Sequence, residues 1–499
     1  MGLKSLVIKP VSGYIHKQIS TDAKNAVAIQ ERWLKKLVTK AKDTAFGKEH
    51  GFAYIRSHHD FRRRVPLRAY EQLRPYINRI VKGENDVLWP NRPLYFAKTS
   101  GTTSGVKYIP ITKDSVSNHF GTARNALLMY AHETGNTQFF DGKLIFLSGS
   151  PVLTKVGSIS TGRLSGIVNH HVPAWLRTNQ LPSYKTNCID DWETKLERIV
   201  AETIQQDMRL ISGIPPWMQM YFDRLEEKSG KKMVDLFPNF SVLVHGGVNY
   251  EPYRQKLEQS MGKKIDSVET YPASEGFIAF QNTQYDEGLL LNINSGIYFE
   301  FVPAGEIFDA NPTRLNLADV QVGVNYAIIM STNAGLWAYN IGDTVKFVSL
   351  NPYKIMVTGR IKHFISAFGE HVISEEVETS LQAVAQKHKA IIAEFTVAPM
   401  MQNTEGQPYH EWFIEFDETP KNLRTFALEL DNLMQQKNIY YADLVQGNIL
   451  QNLKVTPVGK GAFQNYMKSI GKLGGQNKVP HLSNDRRMAT VLEAFKVER

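Results

Sequence analysis

Apolar side chains recur at intervals of three and four from Ala26 through Ile29, Trp33 and Leu37 to Ala41, which predicts an amphipathic helix over residues 21–44. A second helix face, Leu73, Tyr76, Ile77 and Ile80, follows the lead-in Pro66-Leu67-Arg68-Ala69-Tyr70. Leu94-Tyr95-Phe96-Ala97 then reads as a short strand that opens into a long polar loop, with a helix from Lys113. Lys143 to Leu147 reads as a buried strand. So do the runs from Arg209 to Trp217 and from Ser241 to Gly247, each ending in a Gly-bearing turn with helical segments between them. That alternation predicts layered α/β sheets, whose ligands lie beyond the carboxyl ends of the strands. Past residue 359 the pattern restarts, with Ser374 as N-cap, Glu375 and Glu376 in the first turn and Val377, Leu381 and Val384 as the buried stripe. Two edge-like strands, 391–397 and 411–416, precede a helix face of Leu423, Phe426, Leu430 and Leu433, which predicts a small α+β domain. No internal repeat, coiled coil or membrane-spanning run interrupts this order.

The chain has 499 residues, 42% hydrophobic and 21% charged, which suits two or more lobes with full cores and excludes disorder. Its single cysteine, Cys188, excludes an internal disulfide and a cysteine-based metal cluster, and suits a reducing compartment. The apolar run before Lys9 and Pro10 is too short for a signal peptide, and Leu6 breaks the myristoylation pattern after Gly2, so cytoplasmic residence is expected. Residues 1–64 carry 14 Lys and Arg against 5 Asp and Glu, which accounts for the whole net charge of +9. A solvated helical surface fits this basic stretch better than a nucleic-acid or membrane footprint, because no aromatic residues interleave with Arg62, Arg63 and Arg64.

Chemistry concentrates first in Thr99-Ser100-Gly101-Thr102-Thr103-Ser104-Gly105-Val106-Lys107. Gly101 and Gly105 let the backbone turn and present successive N–H groups, the five hydroxyls add short donors, and Lys107 supplies a point charge, which together make an anion site for a triphosphate. The spacing between the glycines and the lysine is not that of a P-loop. A polar surface turn is the alternative for such a composition. Tyr271-Pro272-Ala273-Ser274-Glu275-Gly276 presents an aromatic face for a purine and a carboxylate for Mg²⁺. Tyr339-Asn340-Ile341-Gly342-Asp343 ends a strand on an aspartate that can grip ribose hydroxyls or simply close a Gly-Asp turn. Gly359-Arg360-Ile361-Lys362 marks a domain boundary, and the glycine loop 471–480 carries Lys478. The adjacent His170 and His171 lack a carboxylate at metal-ligand spacing and fit a mobile lid or pocket wall within the Ser/Gly-rich stretch from Ser148.

In this fixed order the motifs resemble the adenylate-forming ligase superfamily, and within it the Gretchen Hagen family of auxin-responsive acyl acid amido synthetases, in a compact bacterial-type form. The resemblance runs from Pro66 to Asp485. It implies an α/β fold: a large N-terminal domain over 1–358, built of layered α/β sheets with a β-barrel-like part, and a small mobile α+β C-terminal lid over 359–499 hinged at 359–362. It implies ATP and Mg²⁺ as cofactors, a carboxylic acid activated as acyl-AMP with release of pyrophosphate, and acyl transfer to an amine such as an amino acid. An acyl-CoA ligase would share the first half. Lys478, Glu275 and Lys107 become the catalytic residues, with Glu275 on the metal. Thr99, Ser100, Gly101, Thr102, Thr103 and Ser104 hold phosphates, Tyr271, Gly246 and Gly247 border adenine, Ser274 and Asp343 complete the nucleotide site, and Arg360 and Lys362 form the hinge. His481 stands where the resemblance calls for Arg. Partners are small molecules, acting on a monomer without nucleic acid or membrane.

Overall fold

The computed structural model describes residues 2–100, 106–172, 174–247, 250–361, 364–365, 372–400, 407–447, 449–474, 477–483 and 485–497. The amphipathic stretch expected over 21–44 is two helices, Leu3–Lys24 and Ala26–Ala41, broken at Asn25. The second buries Ala26, Ile29, Leu34, Leu37, Val38 and Ala41, while Trp33 lies at the border of this face and its indole N–H donates to Asn294 Oδ1 at 2.9 Å. Each Leu or Ile taken fully out of water there contributes about 1.5–3 kcal/mol before chain entropy is counted. The first helix packs Ile8, Ile15, Ile19 and Ala23 with Ala126, Leu128 and Met129 of the helix Val116–Thr134. Pro10 inside it hides the periodicity from the sequence.

The chain divides into two compact units. One comprises Met1–Ile214, Glu227–Gly247 and Ile265–Val357, and the other Pro215–Glu226, Val248–Lys264 and Thr358–Arg499. The first unit is built on an eleven-stranded sheet. Five strands, Gln180–Leu181, Lys143–Phe146, Met208–Gly213, Val242–Gly246 and Asp266–Ala273, run parallel, as buried Val/Ile/Leu runs with intervening helices dictate. From Asp266–Ala273 onward the sheet turns antiparallel through Gly276–Phe280, Leu289–Leu291, Tyr353–Arg360, Tyr339–Leu350, Asn325–Thr332 and Ile297–Pro303. This antiparallel half shares one core of Ile278, Leu289, Phe299, Phe301, Ile328, Val345 and Phe347, and is open at the edge strand Ile297–Pro303.

That edge strand contains a fully buried carboxylate, Glu300. Arg314 grips it in bidentate fashion, Nε at 3.0 Å and Nη2 at 2.6 Å, and His58 Nε2 lies 3.0 Å from Oε1. Burial alone would raise the Glu300 carboxyl, but the Arg314 guanidinium and the His58 hydrogen bond hold it below the usual carboxylate range. Glu300→Ala should therefore cost about 3–5 kcal/mol, because it leaves Arg314 buried without its carboxylate, while the double change Glu300→Leu with Arg314→Met should cost far less. Denaturant midpoints of the two variants decide this, and an unchanged midpoint for Glu300→Ala would remove the pair from the stability of the strand.

In the second unit the strands Ile391–Met400 and Tyr409–Glu418 pair antiparallel, and Lys454–Val458 joins the latter in parallel. Tyr409–Glu418 is thus central rather than edge-like, which explains its nearly continuous burial. Pro457 disguises the third strand in the sequence, and an edge position tolerates it. The helices Ser374–His388 and Leu423–Lys437 place Val377, Leu381, Phe426 and Leu430 in this unit's core. The first begins one residue earlier than expected. Ile373 is its N-cap, and the Ile373 N–H donates to Glu376 Oε2 at 3.0 Å because Ser374 already has helical backbone. Among the described residues of the Gly/Lys segment after Ala462–Ser469 none lies in a strand.

Candidate active site

Two motifs from distant parts of the sheet are bonded crosswise. Ala273 and Gly276 face each other across the antiparallel ladder, so Ser274 and Glu275 are the whole of a two-residue turn at the carboxyl end of Asp266–Ala273. Asp343 neither ends a strand nor closes a hairpin. It lies within Tyr339–Leu350, where the register against Asn325–Thr332 shifts and Gly342 takes φ +90°. Glycine alone adopts that backbone without strain, and the resulting bulge re-aims the next side chain. Tyr271 Oη donates to Asp343 Oδ2 at 2.6 Å, and Tyr339 Oη donates to Glu275 Oε1 at 3.3 Å. Each tyrosine thus orients the carboxylate of the other motif. Tyr339 is 1% exposed and Tyr271 8%, so the Tyr271 ring belongs to the core and turns its hydroxyl toward Asp343. Phenolic donors of this kind make charge-assisted hydrogen bonds that fix a carboxylate without neutralising it.

The hydroxyl-rich loop joins two antiparallel strands, Tyr95–Ser100 and Val106–Ile111, with Thr99 opposite Lys107. The strand–loop–helix order expected there is corrected: a second strand intervenes, because Tyr108 to Ile111 closes a buried face, and the helix starts only at Val116. Gly101, Thr102, Thr103 and Ser104 lie outside the described residues, as does the side chain of Ser100. The segment from Pro66 to Tyr70 ties this hairpin to the Asp343 strand. Arg68 N–H donates to Ala338 O at 3.0 Å, Asn340 N–H donates to Arg68 O at 2.8 Å, and Tyr108 N–H donates to Tyr70 Oη at 2.8 Å. The Lys107 ammonium lies 5.7 Å from the centre of the Tyr70 ring, within cation–π range. Asn118, on the following helix, accepts from Phe277 N at 2.6 Å and so docks that helix two residues beyond Glu275. Sequence reading passed over Tyr70, Asn118 and the hydroxyl of Tyr339. Their only signal was position on or beside a helix face or motif.

The chain matches the GH3 family N-terminal domain over residues 15–162 and 152–265, the GH3 family central domain over 290–360 and the GH3 family C-terminal domain over 375–487. It belongs to the GH3 family. Among its relatives, jasmonoyl–L-amino acid synthetase JAR6 of Nicotiana attenuata is 21% identical over 91% of this chain and 90% of its own length. Indole-3-acetic acid-amido synthetase GH3.3 of Arabidopsis thaliana is 22% identical over 92% and 89%. The solved structure of AtGH3.15 acyl acid amido synthetase in complex with 2,4-DB superposes with a TM-score of 0.81 at 16% identity, covering 98% of this chain and 96% of that one. A 2-hydroxyisobutyryl-CoA ligase in its postadenylation state gives 0.63 at 14%, covering 95% and 92%. These two likenesses are of fold.

The remaining residues that the sequence singles out in this GH3 chain fall in both units. In the first, Gly246 is required by packing: a Cβ there would lie 2.1 Å from Thr270 O, on the strand that leads to Tyr271. Gly247 follows with φ +82°. The Thr270 hydroxyl donates to His245 O at 2.9 Å, and His245 is buried. His170 Nε2 lies 2.8 Å from Pro151 O and His171 Nε2 3.0 Å from Tyr95 Oη. The Ser/Gly-rich stretch before them contains the strands Thr154–Val156 and Ile159–Gly162, which extend the sheet of the hairpin formed by Tyr95–Ser100 and Val106–Ile111. Among the described residues no three His, Cys, Asp or Glu side chains gather to hold a metal. Glu275, a single half-buried carboxylate, fits the way Mg²⁺ is held when nucleotide phosphates and water supply its other ligands. In the second unit Gly359 takes φ +149°, Arg360 is exposed and Lys478 is exposed on an irregular segment, while Lys362 lies outside the described residues. Among the described residues, no helix is long and apolar enough to cross a membrane.

Proposed function

We infer that this protein is an adenylate-forming acid–amino acid ligase, and the observation that carries the reading is the crossed pair Tyr271–Asp343 and Tyr339–Glu275 in a chain of the GH3 family. A carboxylate resists attack by an amine because its charge repels the nucleophile and oxide leaves poorly. Attack of that carboxylate on the α-phosphorus of ATP, in line with departing pyrophosphate, gives an acyl-AMP whose leaving group is AMP. The amine then displaces AMP and forms the amide. The relatives named for jasmonoyl–amino acid and indole-3-acetic acid-amido synthesis set the substrate class at a carboxylic acid and an amino acid.

The residues take the following parts in this reading. Asp343, aimed by Tyr271, accepts from the ribose hydroxyls, and Ser274, Tyr271, Gly246 and Gly247 border the rest of the nucleoside. The hairpin from Thr99 to Lys107 cradles the phosphates. Glu275 would hold Mg²⁺, which when bound would supply positive charge beside the phosphates. Lys478 adds a cation to the adenylation step only, and the unit containing residues 359–499 acts as a lid that pivots at 359–362 to admit the amine. The same reading places the protein in the cytoplasm as a monomer acting on small molecules, without nucleic acid or membrane.

The experiment is a panel of carboxylic acids screened by acid-dependent pyrophosphate exchange, followed by parallel incubation with coenzyme A and the common amino acids and identification of products by mass. The expected outcome is AMP and pyrophosphate with an amide. Acid-dependent ADP would overturn the whole reading, and a thioester without an amide would replace the acceptor while leaving adenylation intact.

A further inference from the structure

Lys478 stands on a segment without regular secondary structure, so something else must fix it. Three residues on, the chain is laced to the strand Ile391–Met400. The Thr396 hydroxyl donates to Pro480 O at 2.7 Å, Val397 N–H to His481 O at 2.9 Å and Ser483 N–H to Val397 O at 3.0 Å. Leu482, opposite Val397, is 1% exposed in the unit's core.

His481 lies in the middle of this seam. Its ring stacks on Phe395 with centroids 4.1 Å apart, its Nδ1 lies 2.7 Å from Glu378 Oε1 and its Nε2 3.1 Å from Glu394 Oε1. A neutral imidazole has one N–H, so two carboxylates facing its two nitrogens demand the imidazolium. The groups facing the ring are Glu378 from the helix Ser374–His388, Glu394 from the strand, and Tyr253 from the helix Glu251–Met261, whose hydroxyl donates to Glu394 Oε2 at 2.9 Å. Burial alone would lower the His481 pKa, but the two glutamates outweigh it and raise it to about 10.

We propose that His481 is a positioning residue for adenylation: as a cation clamped between Glu378 and Glu394 it locks the register of residues 480–483 along the strand Ile391–Met400, and thereby sets where Lys478 stands. The proposal rests on the adenylating role given to Lys478 above. A one-residue slip along a strand shifts the chain by about 3.3 Å and turns each side chain to the opposite face. Catalytic placement fails at about 1 Å. Apolar packing of Leu482 resists such a slip, but His481 is the only ionisable side chain between Lys478 and Asp485, and two fixed carboxylates accept it in one register alone. Buried ion pairs of this sort contribute little net stability, and selecting one register is the use to which they are best suited.

The test compares His481→Gln, which keeps polarity and loses charge, with His481→Arg, which restores it. Wild type and Lys478→Ala run alongside. Acid-dependent pyrophosphate exchange should fall by about 10-fold or more in His481→Gln with little change in KM for ATP and acid, while amide formation from supplied acyl-adenylate stays within about twofold, and His481→Arg should recover most of the loss. In wild type the clamp stays complete while His481 holds its proton and is lost as pH rises through about 10, so exchange should fall more steeply near that pH in wild type than in His481→Arg. Equal loss of both half-reactions, no loss, or loss that Arg fails to recover overturns the proposal. Should His481→Gln not fold, Glu378→Gln breaks one arm of the clamp and must give the same split. Absence of exchange in wild type would instead refute the proposed function, and full exchange in Lys478→Ala would refute the role of that lysine.

Discussion

Lys478→Ala should lower acid-dependent pyrophosphate exchange by about 10²–10³, the effect of removing one preorganised charge from a developing oxyanion, and should leave amide formation from synthetic acyl-adenylate largely intact. The asymmetry is the informative part. When the carboxylate attacks, negative charge gathers on the α-phosphoryl oxygens and the departing pyrophosphate, and an ammonium aimed there is bound more tightly in the transition state than in the ground state. When the amine attacks, the phosphorus keeps its bonds and that ammonium has far less to stabilise. A lysine that served only to solubilise its Gly-rich segment would change neither rate. A lysine needed for folding would depress both. Supplying the adenylate therefore separates the three cases in one comparison, with rapid-quench rates of each half-reaction as the measurement.

The motifs were legible in the sequence as short spans of residue type: Gly, Ser and Thr around Lys107, the Ser-Glu pair at 274–275 and the Gly-Asp pair at 342–343, whose roles toward phosphate, metal and ribose belong to the proposed function. The parallel strands were legible too, since Leu144 and Ile145, Leu210 and Ile211, and Val242 and Leu243 form short apolar runs that only a sheet covered on both faces can bury. What escaped was every relation between separated segments. Tyr271 and Asp343 are 72 positions apart, and nothing local says that the hydroxyl of one aims the carboxylate of the other. The strand Val106–Ile111 was lost because polar loop composition runs directly into Val106, and the strand Lys454–Val458 because of Pro457. His481 stood out only as a departure from an expected Arg. Its meaning needed Glu378 and Glu394, which lie 103 and 87 positions away.

Glu275→Gln should lower adenylation by about 10²–10³ and raise the Mg²⁺ concentration for half-maximal exchange, whereas Tyr339→Phe should cost only about 2–10-fold. The first change keeps the shape of the side chain and the two-residue turn between Ala273 and Gly276, and removes only the charge. A carboxylate that served the turn alone would tolerate it, since Gln meets the same backbone demands. A carboxylate that is the protein's one anionic ligand to a nucleotide-bound Mg²⁺ would not, because the amide oxygen binds a hard cation much more weakly than a full charge. The second change removes a donor 3.3 Å from Glu275 Oε1, a long hydrogen bond whose loss leaves the charge in place but frees its direction. The ordering of the two effects carries the argument. If Tyr339→Phe proves as damaging as Glu275→Gln, orientation rather than charge dominates, and the buried Tyr339 hydroxyl belongs among the essential groups. If Glu275→Gln exchanges pyrophosphate at the wild-type rate with an unchanged Mg²⁺ dependence, the metal is held elsewhere and the turn at 274–275 is structural.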